Sequence, residues 1–474
     1  MSDPAGAAGN GAEPAKVKAG RHREATLYTA LDGAGAGGER SLAELRELAL
    51  RAFEAAELPV WRRSGFWTTS LQELELDALE NVLDEREVPE VVTRTLPERA
   101  RAGRIVQNGG AVVSVELDPA LAEKGVILCS LEEAFERHRE LAERWYSKRL
   151  EIDRNKLEAA NAAFWTGGAF LYVPAGLVVE DPFEIVYAIE RPGVAQYGRT
   201  LVVGAPMSDF KVHEYDLAED FAADADGRAG EPSERQALHA GAFELYLQDG
   251  ARCRLAQVQD WGQGNEVYDV STRFVQVGRD AYCHWLPALL GGHLVRPHLE
   301  LAVSEPGGDM AFRGVFFAEE REHLDAFAVD LHETGPSGGD VHWRGAATGE
   351  ARASFEGLIK IDPGAQQTHT YLQIHTMMLS PKARIDAIPS VLVSSDDVSA
   401  SHGGTVGELD ESSIFYMQSR GLDRAEAVRI IVEGFFEPLI SELADEPLQE
   451  LVRSKIEAKL AAAREDIETY AISR

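Results

Sequence analysis

His402 is the residue whose setting most invites chemistry. It lies in SSDDVSASHGGTVGELDESSIFYMQSRG, Ser394 to Gly421, between an acidic stretch and the pair Gly403-Gly404, with a helix signal a few residues on. An imidazole at a glycine turn is accessible and can ligate a metal or carry a proton, and Asp396 or Asp397 could fix its tautomer. The same position equally suits a polar turn residue with no chemistry. Other candidates are weaker. His369 and His375 in HTYLQIH share one face of a strand, yet lie about 20 Å apart at ~3.3 Å per residue, too far to chelate one ion. Asp396 and Asp397 are adjacent, so on a strand they point to opposite faces and cannot flank one glycosidic bond.

The three cysteines, Cys129, Cys253 and Cys283, are far apart in sequence and form no C-x-x-C. That pattern predicts free thiols in a reducing compartment, with no disulfide framework or zinc knuckle and no cluster held by this chain's thiolates alone. There is no G-x-x-x-x-G-K-[ST], so ATP binding through a P-loop is not expected; no G-x-S-x-G; and His332-Glu333 is followed by Thr-Gly-Pro instead of completing H-E-x-x-H. Lys plus Arg number 47 against 79 Asp plus Glu, a net charge of -32. Such a surface repels phosphate backbones and anionic lipid, which excludes nucleic acid and membrane surfaces as expected partners.

The elements that must position these residues follow from periodicity. At 474 residues the chain exceeds one ordinary core, and two or three units are expected. Residues 1–40 are small, polar and Pro/Gly-rich without a signal peptide's apolar run, and read as a disordered tail. Leu42, Leu45, Leu48, Leu50 and Phe53 recur at helical spacing. A second helix is expected from Ser130 through Phe164, opened by the S-x-x-E spacing of Ser130 and Glu133. With strand near Ala111 to Val115, residues 41–162 form a mainly helical N-terminal domain.

From 163 to 408, runs such as FEIVYAIE, RTLVVGA and QTHTYLQIHTMML alternate with Gly, Pro, Asp and Asn turns. They predict a long all-β region coiled about an axis, a parallel β-helix in preference to a sandwich. The uncharged stretch Ala162 to Val179 is broken by glycines and a proline, and reads as two buried strands. Residues 218–235 read as an acidic surface insertion. Residues 409–474 are helical again: Asp410 caps a helix ending at Gly421, Asp423 and Glu426 open the next, and Val428, Ile431, Val432, Phe435 and Leu439 form an apolar stripe. That stripe must be covered by the last coil of the β-domain or by another subunit.

SHGGTVGELDESSIFYMQSRGLDRAEAVRIIVEGFFEPLI resembles the C-terminal signature of the SufB/SufD family, scaffold proteins of iron–sulfur cluster assembly. MMLSPKARIDAIPSVLVSSDDVSASHGG looks like that family's last β-helix coils, and SGFWTTSLQELEL is similar to its SufD N-terminal segment. The likeness covers most of the chain from Ser41 onward. Two departures favour the SufD branch: SufB-like chains have His-Glu where this one has His402-Gly403, and a cysteine where this one has Ala383.

The resemblance implies a right-handed parallel β-helix between helical ends, in a cytoplasmic, non-catalytic scaffold subunit. It implies a heterodimer with a SufB-like paralogue, with His402 at the interface holding a transient iron–sulfur cluster together with the paralogue's cysteine. It also implies a SufC-like ATPase docked on the C-terminal helices, with Phe415, Tyr416, Arg420, Phe435 and Phe436 as contact residues. Whether isolated chains form homodimers and whether a flavin binds the assembled complex stay open. Two rival readings are a β-helical carbohydrate-active enzyme and a purely structural scaffold whose His402 is idle.

Overall fold

In-register parallel pairing organises the molecule. The structure, a computed structural model, describes residues 41–59, 69–85, 87–221, 231, 234–443, 445–464 and 467. The expected tail at 1–40, part of the SufD-like segment and most of the acidic insertion lie outside the described residues.

In chain order the first strands are β1 (Gly103–Asn108), β2 (Ala111–Leu117), β3 (Ile127–Cys129), β4 (Ala169–Val173), β5 (Val178–Ile189), β6 (Ala195–Gln196) and β7 (Arg199–Gly204). Next come β8 (Asp209–Ala218), β9 (Gln236–His239), β10 (Ala242–Leu247), β11 (Arg252–Asp260), β12 (Glu266–Val277), β13 (Tyr282–Leu289) and β14 (Leu294–Val303). The last are β15 (Asp309–Ala318), β16 (His323–His332), β17 (Ser337–Ala347), β18 (Arg352–Ile361), β19 (Thr368–Met378), β20 (Arg384–Val393) and β21 (Val398–Glu408). One sheet runs β2-β1-β5-β8-β11-β13-β15-β17-β19-β21 and the other β20-β18-β16-β14-β12-β10-β7-β4-β3. Each coil thus gives one strand to each sheet, building a parallel β-solenoid of about 8 turns.

Because coils pair in register, as from His323↔Arg352 to His332↔Ile361, each side chain stacks on its counterpart one coil away. A slip of one residue would turn every inward side chain outward, so the apolar pattern locks the register. The lumen is filled by aromatic columns. Trp285 stacks on Phe312 with centroids 4.7 Å apart, and Trp343 lies 4.4 Å from Phe355. Gly314 and Gly345 make room for them: a Cβ on Gly314 would sit 2.3 Å from the Trp343 ring, and one on Gly345 1.9 Å from Phe316.

Helices cover the two outer faces. α1 (Leu42–Ala55), α2 (Glu90–Thr95), α3 (Pro119–Glu123), α4 (Leu131–Arg137), α5 (Arg139–Trp145) and α6 (Lys156–Phe164) precede the solenoid. α7 (Glu411–Ser419), α8 (Arg424–Ile440) and α9 (Glu446–Ala462) follow it. The single helix expected from Ser130 to Phe164 is three pieces. His138 leaves the helix at φ -128, ψ 34, and Asn155 caps α6 afresh. Between them Ser147 sits at φ 49. It is held there because its N–H donates to Glu244 Oε2 at 3.0 Å and its hydroxyl accepts from Arg199 at 2.6 Å. A buried ion pair, Arg199 with Glu244 at 2.8 Å, thus overrides local helix propensity. The uncharged stretch closes α6 and then enters β4 and β5, and no described helix is long and apolar enough to cross a membrane.

Of the C-terminal stripe, Val428, Val432 and Leu439 are buried and Ile431 and Phe435 half-buried, though not on the last coil. α8 carries a capping box between Asp423 and Glu426, and α7 is capped by Asp410. Val428, Val432, Phe436, Leu439, Val452 and Ile456 cluster with Val186, Tyr215, Ala256, Leu286, Val315 and Ala346, across the middle strands of the ten-stranded sheet. The helices therefore fold back along the solenoid as a strap. Polar pairs pin it: Arg313 donates to Glu442 at 2.8 Å, Lys455 meets Asp260 at 2.7 Å, and Asp445 pairs with Arg99. Lys459, nearly buried, lies 2.6 Å from Glu319 and 3.4 Å from Glu322.

The Lys459 cluster yields a prediction. Burial pushes the Glu322 carboxyl up to about 7 against the opposing pull of Lys459. Lys459→Met leaves two buried carboxylates without their cation, so at neutral pH it should lower unfolding stability by about 3–5 kcal/mol. For Glu322 the folded pKa lies above the unfolded one. Its contribution is then present below about pH 4.5 and lost as pH rises through about 7, so the variant should regain part of its stability at pH 5. Denaturant melts at the two pH values would show this, and a pH-independent deficit would refute it.

Candidate functional site: the uncapped end of the solenoid

The two ends of the solenoid differ. At the N-terminal end β1 adds to β5, the antiparallel β2 closes that edge, and β3 lies antiparallel on β4. At the C-terminal end β20 and β21 are the free edges of the two sheets, side by side as the halves of the last coil. Nothing among the described residues covers them, and β21 is exposed or half-buried throughout. Free edges expose unpaired N–H and C=O groups, which are templates for another strand.

Register shows which way each side chain of β21 faces. His402 is the partner of Leu372, a fully buried lumen residue, so the imidazole continues the interior column at its open end. Ala400, His402, Gly404 and Val406 form one lip of the mouth. Pro389, Val391 and Val393, in register with Gly357, Ile359 and Ile361, form the other. Gly404 faces Pro389 across the mouth, a Cβ there lying 3.5 Å from the ring. Val391, Val393 and Val406 are 36%, 42% and 44% exposed, an apolar rim around an accessible histidine. The outward-facing residues of β21 are Ser399, Ser401, Gly403, Thr405 and Gly407, all small.

These positions correct two expectations about His402. It lies within a strand and not in a turn: Gly403 and Gly404 continue β21. Asp396 and Asp397 occupy the bend before it, where the Asp397 N–H donates to Gln366 Oε1 at 2.9 Å. Five residues of strand carry His402 about 16 Å from Asp397, so neither carboxylate orients the imidazole. Among the described residues the His402 ring has no hydrogen-bond partner, and no three His, Cys, Asp or Glu converge as a metal set. A ligand at His402 would draw its remaining donors from another chain. His369 and His375 lie with Tyr371 and Gln373 on the outer face, opposite His402.

All three cysteines are free thiols, as expected, but two of them are neighbours in space. Cys253 and Cys283, thirty residues apart, are register neighbours on β11 and β13, side by side in the lumen and fully buried. Burial pushes both thiols well up, and Cys129 up to about 12, so none is a thiolate at neutral pH. Ala383 sits buried at the corner before β20, its N–H donating to Ser380 Oγ at 3.1 Å.

The expected contact residues on the C-terminal helices separate into two groups. Phe415 and Tyr416 on α7 are 72% and 59% exposed, and Arg420 lies over the Tyr416 ring at 5.2 Å. Phe436 is fully buried 6.3 Å from Phe317, and Phe435 is half-buried under Arg344, which donates to its carbonyl. Phe436 is therefore a core residue, out of reach of a docked protein.

The SUF system FeS cluster assembly SufBD core domain matches residues 187–435, and the SufBD protein N-terminal region matches residues 36–185. Curated relatives agree. Iron–sulfur cluster assembly SufBD family proteins of Staphylococcus aureus (strain USA300) and Staphylococcus saprophyticus are each 26% identical over 375 residues, covering 77% of this chain and 78% of theirs. One from Staphylococcus epidermidis is 25% identical over 426 residues, covering 86% of this chain and 87% of its own.

Burial of the thiols predicts that maleimide leaves Cys253 and Cys283 unmodified in the folded chain, and that all three cysteines react in guanidinium. Intact-mass spectrometry reads this directly. Rapid double labelling of the native chain would contradict the lumen placement.

Proposed function

The chain belongs to the SufBD family of iron–sulfur cluster assembly proteins, and we propose that it is a SufD-like scaffold subunit of the cytoplasmic assembly complex. In this reading the open end of the solenoid pairs with the matching end of a SufB-like paralogue. The observation that carries it is the last coil, uncapped among the described residues, with His402 at the end of the lumen column and no hydrogen-bond partner among them. Pairing of two such edges would satisfy both sets of backbone groups and bury the valine rim, while bringing His402 against donors of the second chain. Iron accepts imidazole readily. A histidine among cysteine ligands holds a cluster less tightly, which suits a scaffold that passes the cluster on. The cluster is then cargo, and the chain itself performs no catalysis.

A SufC-like ATPase would dock on the C-terminal helices, with the exposed Phe415 and Tyr416 as anchors and Arg420 beside them. Aromatic and arginine side chains of this kind dominate protein interfaces. The strap that α8 and α9 make along the sheet gives movement at that surface a mechanical route to the solenoid.

Two experiments test these assignments separately. His402→Ala, co-expressed with the SufB-like and SufC-like partners and reconstituted anaerobically, should assemble normally yet lose most of the cluster absorption and bound iron. Equal loading would make His402 architectural. Phe415→Ala with Tyr416→Ala should lose co-purification of the ATPase while keeping the paralogue, whereas Val393→Asp should lose the paralogue while keeping the ATPase. If either variant retains both partners, the corresponding surface is wrongly assigned.

A further inference from the structure

The lumen is apolar along most of its length, but where β8, β11 and β12 meet it is charged. Arg273 of β12 reaches across to β8, donating to Glu214 and, at 2.5 Å, to Asp216 Oδ2. Asp269 accepts from Trp261 Nε1 through Oδ2 at 2.9 Å. Burial holds the neighbouring His239 neutral at pH 7, its pKa pushed down to about 4. Three carboxylates thus face one guanidinium, and burial pushes all three up, Glu214 to about 7, because the interior disfavours their ionised forms. An uncompensated buried charge is among the costliest features a fold can carry.

Unpartnered oxygens mark where the compensation belongs. Asp216 Oδ1, Asp269 Oδ1, Gln259 Oε1 and Ser271 Oγ are all buried without a hydrogen-bond partner among the described residues. Each belongs to a residue no more than 2% exposed. They are neighbours in the lattice of the solenoid. Gln259 is the register partner of Asp216, and Asp269 and Ser271 share the inward face of β12, with Asp269 within electrostatic reach of Asp216. Glu214, by contrast, is saturated by Arg273, Gln257 and Thr200. Gln259 also lines a small cleft with Gly291, Gly292, Val295, Glu322 and His323.

We propose that this part of the lumen binds one hard divalent cation, of the calcium or magnesium class, through Asp216, Asp269 and Gln259, with Ser271 and water completing the shell. A nearby +2 charge would favour the ionised carboxylates that burial disfavours, and carboxylate, amide and hydroxyl oxygens are the ligands such ions take. Only two of the ligands are carboxylates, which accords with the absence of any three-member His, Cys, Asp or Glu set among the described residues. The ion would tie the sheets together across the lumen, a structural role independent of His402.

The test refolds the full chain from guanidinium and EDTA into buffer with no divalent ion, with calcium or with magnesium. Metal content is then read by plasma mass spectrometry after gel filtration, and the melting temperature by circular dichroism. The expected result is one retained equivalent of one of the two ions and a melting temperature that climbs with its concentration. Asp269→Asn should abolish retention. Gln259→Met, which keeps volume and all charges, should weaken it at least tenfold and keeps the test sound if the Asp269 variant fails to fold. A wild-type chain that retains neither ion and melts at the same temperature in all three buffers overturns the site, as does retention unaffected by Gln259→Met.

Discussion

Everything in this molecule depends on the in-register stacking of one coil on the next. Parallel strands with no offset place equivalent residues directly over one another, so a side chain's orientation is inherited from its neighbour one coil away. The aromatic columns, the glycines that admit them, the two in-register cysteines and the inward-facing His402 all follow from this rule. The same stacking makes the fold open-ended: a solenoid has no intrinsic last coil, and each end must be closed by something else.

The two ends are closed differently. At the start, antiparallel β1–β2, the short β3 and the N-terminal helices occupy the edges. At the other end the chain turns away into α7 and spends its remaining apolar surface on the middle of the sheet. Had α8 and α9 covered the last coil, the edges of β20 and β21 would be satisfied internally. Their backward course leaves the edges free, keeps the valine rim exposed, and separates the open mouth from the helical surface bearing Phe415 and Tyr416. One chain thereby presents two distinct exposed faces, the two that the proposed scaffold role would use.

Local signals in the sequence were legible because their physics is local. Asp410 with Gly421 and Asp423 with Glu426 are caps formed within a few residues, and they appear where the sequence places them. The all-β character of the middle was equally plain from composition and turn residues. What stayed hidden needed the coil period. Cys253 and Cys283 are one coil apart, a relation invisible while the repeat is degenerate. His402 looked like a turn residue because two glycines follow it, yet in an uncovered edge strand glycine need not bend the chain. Phe436 could not be told from Phe435 by helical spacing, since rotating the stripe by one position fits the period as well; only the helix's docking against Phe317 decides. The break at Ser147 follows from an ion pair nearly a hundred residues away, Glu244 with Arg199. The lumen charges were likewise unreadable, because alternation shows that Asp216 and Asp269 share a face with apolar residues but not that the two faces meet.

Hydrogen–deuterium exchange across the chain, alone and in the co-expressed complex, tests whether the last coil is the surface a second chain covers. The amides of 384–393 and 398–408 should exchange fast in the isolated chain and both strands should be strongly protected in the complex, with β12 to β16 unchanged. Protection confined to the C-terminal helices, with the two edge strands exchanging as freely as before, would contradict it.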